Sequence, residues 1–197
     1  LPFDYWMLSL SWSPEYCRLK PSDQECKSVK GYREPYGFVV HGLWPQYEVG
    51  RPQKCAEDPE PVSDELTSRM LMTMPSTQMI RTQWRRYGTC SGMNQDDYFM
   101  FVERAYRRIE IPEAYRLPDA YVYTTAEAVK REFLAINPEL TDASVALQCS
   151  GRFLKEIRVC FKPDMQPRGC GRDIEDRCRS GKITIRPIRG LPPKKKE

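Results

Sequence analysis

The chain opens on LPFDYWMLSLSW, where Trp6, Leu8, Leu10 and Trp12 fall on one side of an extended backbone and Phe3, Tyr5 and Met7 on the other. Alternation with both phases apolar predicts a strand buried on much of both faces. WSPEYC ends it, and a polar, cysteine-flanked loop is expected to run to Tyr36. YGFVVHGLW reads as a second apolar strand closed by Pro45, followed by a loop over 46–61 rich in Pro, Glu and Lys. The period then changes. Ser63, with Asp64 and Glu65 behind it, opens a helix to about Met74, where Pro75 breaks it. STQMIRTQWRRY is a second short helix, ended by Gly88 just past its last turn. Asn94 caps a third, QDDYFMFVERAYRRI, with Phe99, Val102, Tyr106 and Ile109 on its core-facing stripe. Thr124 with Glu127 three residues on forms a capping box for a fourth, which continues through AVKREFLAI to Pro138. Period two returns in SVALQCS, in KEIRVCFK, where Ile157, Val159 and Phe161 alternate with Arg158 and Lys162, and in KITIRP. Strands at both ends with helices between them predict an α+β fold built on a mainly antiparallel central sheet.

With 197 residues, no repeats and no long linker, the chain suits one domain over 1–190, followed by a flexible basic tail at 191–197. A net charge of +4 favours a polyanionic partner without requiring one. The cysteines are more telling. Eight of them, an even number without a CxxC pair, lie spread along the chain, and the one histidine, His41, is far from any of them in sequence. Zinc would need clustered ligands, so no metal is expected. Free structural thiols compete with four disulfides; the disulfide reading puts the protein in an oxidising compartment, periplasmic or secreted. A signal peptide is then expected to have preceded Leu1 and been removed. No apolar run approaches the ~18 residues of a membrane span.

Taken alone, His41 on an apolar strand reads as a hydrogen-bonded core residue. Its surroundings point elsewhere: HGLWPQ places the imidazole at an expected strand end, Gly42 admits close approach of a ligand or backbone, and Trp44 with Pro45 should turn the chain sharply. FVVHGLWPQ resembles the first active-site segment of the ribonuclease T2 family, and QWRRYGTCSG resembles the second. LSLSWSPEYC is similar to bacterial periplasmic members of that family, so the resemblance covers most of the chain. It implies the T2 fold and the pairings Cys17–Cys26, Cys55–Cys90, Cys149–Cys178 and Cys160–Cys170, a choice that spacing alone leaves open among ~105. It also implies endonucleolytic RNA cleavage without metal or cofactor. In that reaction the ribose 2′-hydroxyl attacks the adjacent phosphorus and leaves a 2′,3′-cyclic phosphate. A base must take the 2′ proton, an acid must protonate the departing 5′ oxygen, and donors must surround the phosphoryl oxygens.

The family's second segment reads His-Glu-aromatic-x-Lys-His-Gly-Thr-Cys. His41 corresponds to the first-segment histidine, Trp84 to the aromatic and Arg86 to the lysine, while Gly88, Thr89 and Cys90 match outright. The departures are Thr82 and Tyr87 for the two histidines and Gln83 for the glutamate. Gln83 and Tyr87, four apart on a helix, share a face. A positioned acid or base is worth roughly 10²–10⁴ in rate. Tyrosine, with an ordinary pKa of ~10, is a poor base at neutral pH, and glutamine carries no proton to exchange. Arg86 can clamp a phosphate bidentately.

Three readings follow. The first is an inactive or very weak ribonuclease that binds RNA or nucleotide through Arg86, Trp44 and Trp84, with Arg81 and Arg85 adding charge. In the second, an endoribonuclease works through His41 as base and Tyr87 as proton donor. The third has a vestigial cleft, with another surface binding a protein or cell-envelope partner. A monomer is expected.

Overall fold

The computed structural model describes residues 2–27, 36–178 and 181–188, so the expected tail at 191–197 lies outside the described residues. Among the described residues six strands form one sheet: β1 (Tyr5–Trp12), β2 (Phe38–Gln46), β3 (Val122–Thr125), β4 (Val145–Ser150), β5 (Phe153–Phe161) and β6 (Lys182–Ile185). Their order is β2-β1-β5-β6-β3, with β4 also on β5. Every pairing is antiparallel except the Phe153↔Thr184 link between β5 and β6. The described residues also form five α-helices: α1 (Ser13–Leu19), α2 (Asp64–Met70), α3 (Thr77–Arg86), α4 (Gln95–Arg107) and α5 (Ala126–Ile136). This is the expected α+β class.

All of β1 is buried, as its doubly apolar alternation predicts. Trp6, Leu8, Leu10 and Trp12 enter the main core with α4 side chains Phe99 and Val102, while Tyr5 and Met7 join a smaller cluster with Cys160 and Trp44 on the other face. Phe3 precedes the strand, so strand parity does not govern it, and it packs on Trp6 in the main core.

The helix starts follow their capping residues. Ser63, Ser76 and Asn94 accept from the backbone N–H groups of Leu66 (3.2 Å), Met79 (3.3 Å) and Asp97 (2.8 Å). Four expectations need correction. The segment after β1 is not a loop but α1, begun by Pro14 in its first turn, where a missing N–H costs nothing. Strand β2 does not stop before Pro45 but runs through it to Gln46; β2 is an edge strand, which tolerates a missing ladder donor. Helix α2 ends at Met70, short of Met74. The cap of α5 is not Thr124 but Thr125, the last residue of β3, whose Oγ1 accepts from the Ala128 N–H at 3.0 Å.

The four disulfides are Cys17–Cys26, Cys55–Cys90, Cys149–Cys178 and Cys160–Cys170, the pairings the resemblance implies. Cys55–Cys90 ties the segment between β2 and α2 to the turn after α3 across a separation of 35 residues. Replacing both cysteines by alanine should cost about 2–4 kcal/mol, measured as a lower denaturant midpoint; an unchanged midpoint would show that this tie does not constrain the unfolded chain.

Candidate active site

Strand β2 and helix α3 build the site. Along the β1–β2 ladder Ser9 faces Gly42 and Leu10 faces Val40, so His41 is the extra residue of a β-bulge, within the strand rather than at its end. His41 and Trp44 are the two residues of β2 that stay partly exposed. Helix α3 approaches so closely that a Cβ on Gly42 would lie 2.1 Å from the Trp44 Nε1 and 2.3 Å from the Gln83 Oε1. Glycine is therefore required by contact rather than by backbone angle. The Trp44 indole N–H donates to the Gln83 Oε1 at 2.6 Å. That bond fixes the amide's orientation and makes its nitrogen the remaining donor, with no hydrogen bond to it among the described residues. The Tyr87 ring, 5 % exposed, packs against Trp44 with centroids 5.5 Å apart. Gln83 and Tyr87 thus share a face, against Trp44.

The other site residues go elsewhere. Trp84 belongs to the main core, its indole N–H donating to the Glu60 carbonyl at 3.1 Å and its ring beside Tyr98. Thr82 lines a separate polar cavity of about 520 Å³ between α3 and the segment around Asp23 and Gln24. Arg81 reaches toward Asp64 at 3.8 Å, both largely exposed.

Sequence reasoning missed the partner of His41. Its Nε2 lies 3.0 Å from the Glu25 Oε2, a carboxylate with no exposed side-chain surface. A bond to a carboxylate requires the proton on Nε2, which leaves Nδ1 as the second ring nitrogen, free to meet a ligand. Glu25 is held in turn: its backbone N–H donates to the Asp23 Oδ1 (3.1 Å), and the Tyr16 hydroxyl donates to the Asp23 Oδ2 (3.1 Å). The Tyr16 ring stands edge-on to the imidazole at 4.4 Å. Burial, reinforced by the Asp23 charge, pushes the Tyr16 phenol well above its usual range and keeps it a neutral donor. The Cys17–Cys26 bridge anchors this segment to α1. The only signal in the sequence was an acidic residue beside a cysteine, which by itself indicates nothing. Glu25→Ala should cost about 1–3 kcal/mol and let the imidazole populate both tautomers, read from the ¹⁵N resonances of the chain's sole histidine. An unchanged single tautomer would show that Glu25 does not orient His41.

Three guanidiniums surround the Trp44–Tyr87 pair. Arg51 lies 5.2 Å from the Trp44 ring centroid and 5.3 Å from that of Tyr87. Arg86 lies 5.4 Å from the Tyr87 centroid and donates to the Gln53 Oε1 at 2.8 Å. Arg158 comes from β5, two strands away, 5.8 Å from the Trp44 centroid, and pairs with Glu156 at 2.6 Å. Only Arg86 belongs to the motif. Arg51 sat in a loop and Arg158 on the polar phase of a strand, so nothing in their local patterns set them apart. The Trp44–Tyr87 face offers one amide and clustered cations beside an aromatic pair, an arrangement suited to phosphate and bases, and His41 lies three residues before Trp44 on the same strand.

The sequence model of the ribonuclease T2 family matches residues 3–170, and the chain belongs to that family. A ribonuclease of Aeromonas hydrophila is 37% identical over 110 residues, covering 56% of this chain and 48% of that protein. A probable ribonuclease of Haemophilus influenzae is 32% identical over 122 residues, covering 56% of this chain and 45% of that one. The chain thus spans about half the length of these curated relatives. Among solved structures, an RNase-related protein from Calystegia sepium superimposes with a TM-score of 0.68 at 19% identity, over 92% of this chain and 96% of that one. RNase NT, solved in complex with 5′-AMP, superimposes with a TM-score of 0.62 at 22% identity, over 89% and 98%. These likenesses show the fold.

Proposed function

We propose that this chain binds RNA or nucleotide across the Trp44–Tyr87 face and cleaves RNA very slowly or not at all. The observation that carries the reading is the state of the substituted positions. Gln83, where the family has its glutamate, is a neutral amide whose oxygen is taken by the Trp44 N–H. Tyr87, where the family has a histidine, is packed beneath Arg51 and Arg86. An amide has no proton to exchange, and a phenol is a poor base at neutral pH, so neither replaces the titrating group of the family. The cations that hold phosphate remain and outnumber those the motif supplies. A second reading, a slow endoribonuclease, is favoured by one feature: the Glu25 carboxylate still orients the imidazole as a general base is oriented. Four disulfides favour a periplasmic or secreted location. In the described residues no helix is long and apolar enough to cross a membrane.

Titration with single-stranded RNA over a salt series tests the binding reading. Two or three phosphates engaged by these guanidiniums give a slope of log K against log salt near about −1.4 to −2. Arg51→Gln with Arg86→Gln should flatten that slope. A flat slope in the native chain would favour the vestigial-cleft reading instead.

A further inference from the structure

Three guanidiniums meet at the Trp44–Tyr87 pair, and among the described residues only Arg158 pairs with a carboxylate, Glu156 at 2.6 Å. Among the described residues, Arg51 and Arg86 have no ion pair with a carboxylate; Arg86 is held by the neutral Gln53 oxygen. Glu25 is buried against His41, and Asp173, next in space to the residue before Arg51, accepts from the Gly50 backbone N–H at 2.8 Å. The position where the family carries a glutamate is here the amide of Gln83, which presents a donor nitrogen in place of a negative charge. Among the described residues the site therefore holds two guanidiniums without a direct carboxylate partner, and it lacks the group that would repel a second negative charge on a ligand. An internal phosphodiester carries one negative charge, whereas a phosphomonoester carries about −1.5 to −2 at neutral pH.

From this balance, and resting on the nucleotide-binding reading above, we infer that the site selects a terminal phosphomonoester, on a mononucleotide or a phosphorylated RNA end, over the internal phosphodiester that a ribonuclease cleaves. The two free guanidiniums match the dianion, and the Gln83 amide supplies a neutral donor to it. Trp44, the partly exposed ring of the pair, supplies the apolar surface on which the attached nucleoside rests, with Tyr87 packed behind it. A chain of this kind retains phosphorylated ends rather than processing internal linkages.

The test compares ligands that differ by one charge. The native chain is titrated with adenosine 3′-monophosphate and with its methyl phosphodiester at low salt, above the second phosphate ionisation at about 6. One additional ligand charge a few ångströms from two cations should give roughly tenfold tighter binding of the monoester. Gln83→Glu, which keeps an acceptor for the Trp44 N–H, should abolish that preference by weakening the monoester much more than the diester. Arg51→Gln, at an exposed position, should narrow it. An oligonucleotide with a 3′-phosphate, compared with its 3′-hydroxyl counterpart, separates recognition of RNA ends from recognition of free mononucleotides. Equal or tighter binding of the diester, or a preference that survives Gln83→Glu, overturns this inference while leaving the nucleotide-binding reading intact. If neither ligand binds, that reading itself fails and this inference falls with it.

Discussion

In a single-turnover assay with the protein in excess over a defined RNA, the native chain is expected to cleave at least ~10³-fold more slowly than a T2 family member with the full motif. Transphosphorylation needs a proton removed from the 2′-oxygen and one delivered to the 5′-oxygen. His41 is the only histidine in the chain, and its Nε2 is committed to Glu25, so one ring nitrogen is left for one of these tasks. The groups across the site are the Gln83 amide, which cannot carry a proton through the reaction, and the Tyr87 ring, buried against Trp44. Losing one or two positioned groups accounts for the deficit, and because such groups act as a unit the losses need not multiply. The controls separate the readings. Turnover equal to that of an ordinary member, abolished by His41→Ala, would overturn the proposal and assign proton chemistry to Tyr87. Residual cleavage that survives His41→Ala unchanged does not come from this site.

The strands and most helices were legible because each depends on nearby residues. The doubly apolar phase of β1, the Ser63 and Asn94 caps and the stops at Gly88 and Pro138 are local facts with local consequences. Helix α1 was missed because its seven residues carry few apolar side chains, and what holds it is tertiary: buried Glu15 pairs with Arg186, far along the chain. Strand β3 exists only through pairing with β6, about sixty residues on, and half its side chains face solvent. The site divides in the same way. His41, Gln83, Tyr87 and Arg86 could be found because the two segments carry recognisable residues. Trp84 shares that motif but works in the core, since sequence position does not reveal which way a ring points. Glu25, Arg51 and Arg158 come from segments outside both motifs and are brought in by the Cys17–Cys26 loop, the turn after β2 and the register of β5. Such convergence belongs to the fold, and no window of sequence contains it.

Restoring the titrating groups should raise cleavage by roughly 10²–10⁴. The variant is Thr82→His, Gln83→Glu and Tyr87→His together. The structure makes unequal demands on the three changes. Gln83→Glu is conservative, because a carboxylate oxygen can keep the Trp44 N–H bond that the amide oxygen now accepts. Tyr87→His puts a smaller ring in the space between Trp44 and the Arg51 and Arg86 guanidiniums, trading cation–π contact for a group that titrates near neutral pH. Thr82→His projects into the neighbouring cavity beside Asp23 and Gln24, away from Trp44. Most of the gain should therefore come from Tyr87→His, which supplies the missing proton partner for His41. Gln83→Glu should add to it by balancing charge around the imidazoles, and Thr82→His should add least. The measurement is the single-turnover rate and the appearance of 2′,3′-cyclic phosphate ends, with thermal unfolding to confirm that the variant is folded. A folded triple variant that stays inert would mean that the site has also lost the geometry that aligns the 2′-oxygen with the phosphate. In that case the three guanidiniums hold phosphate in a pose that chemistry cannot use, and binding alone is what this site retains.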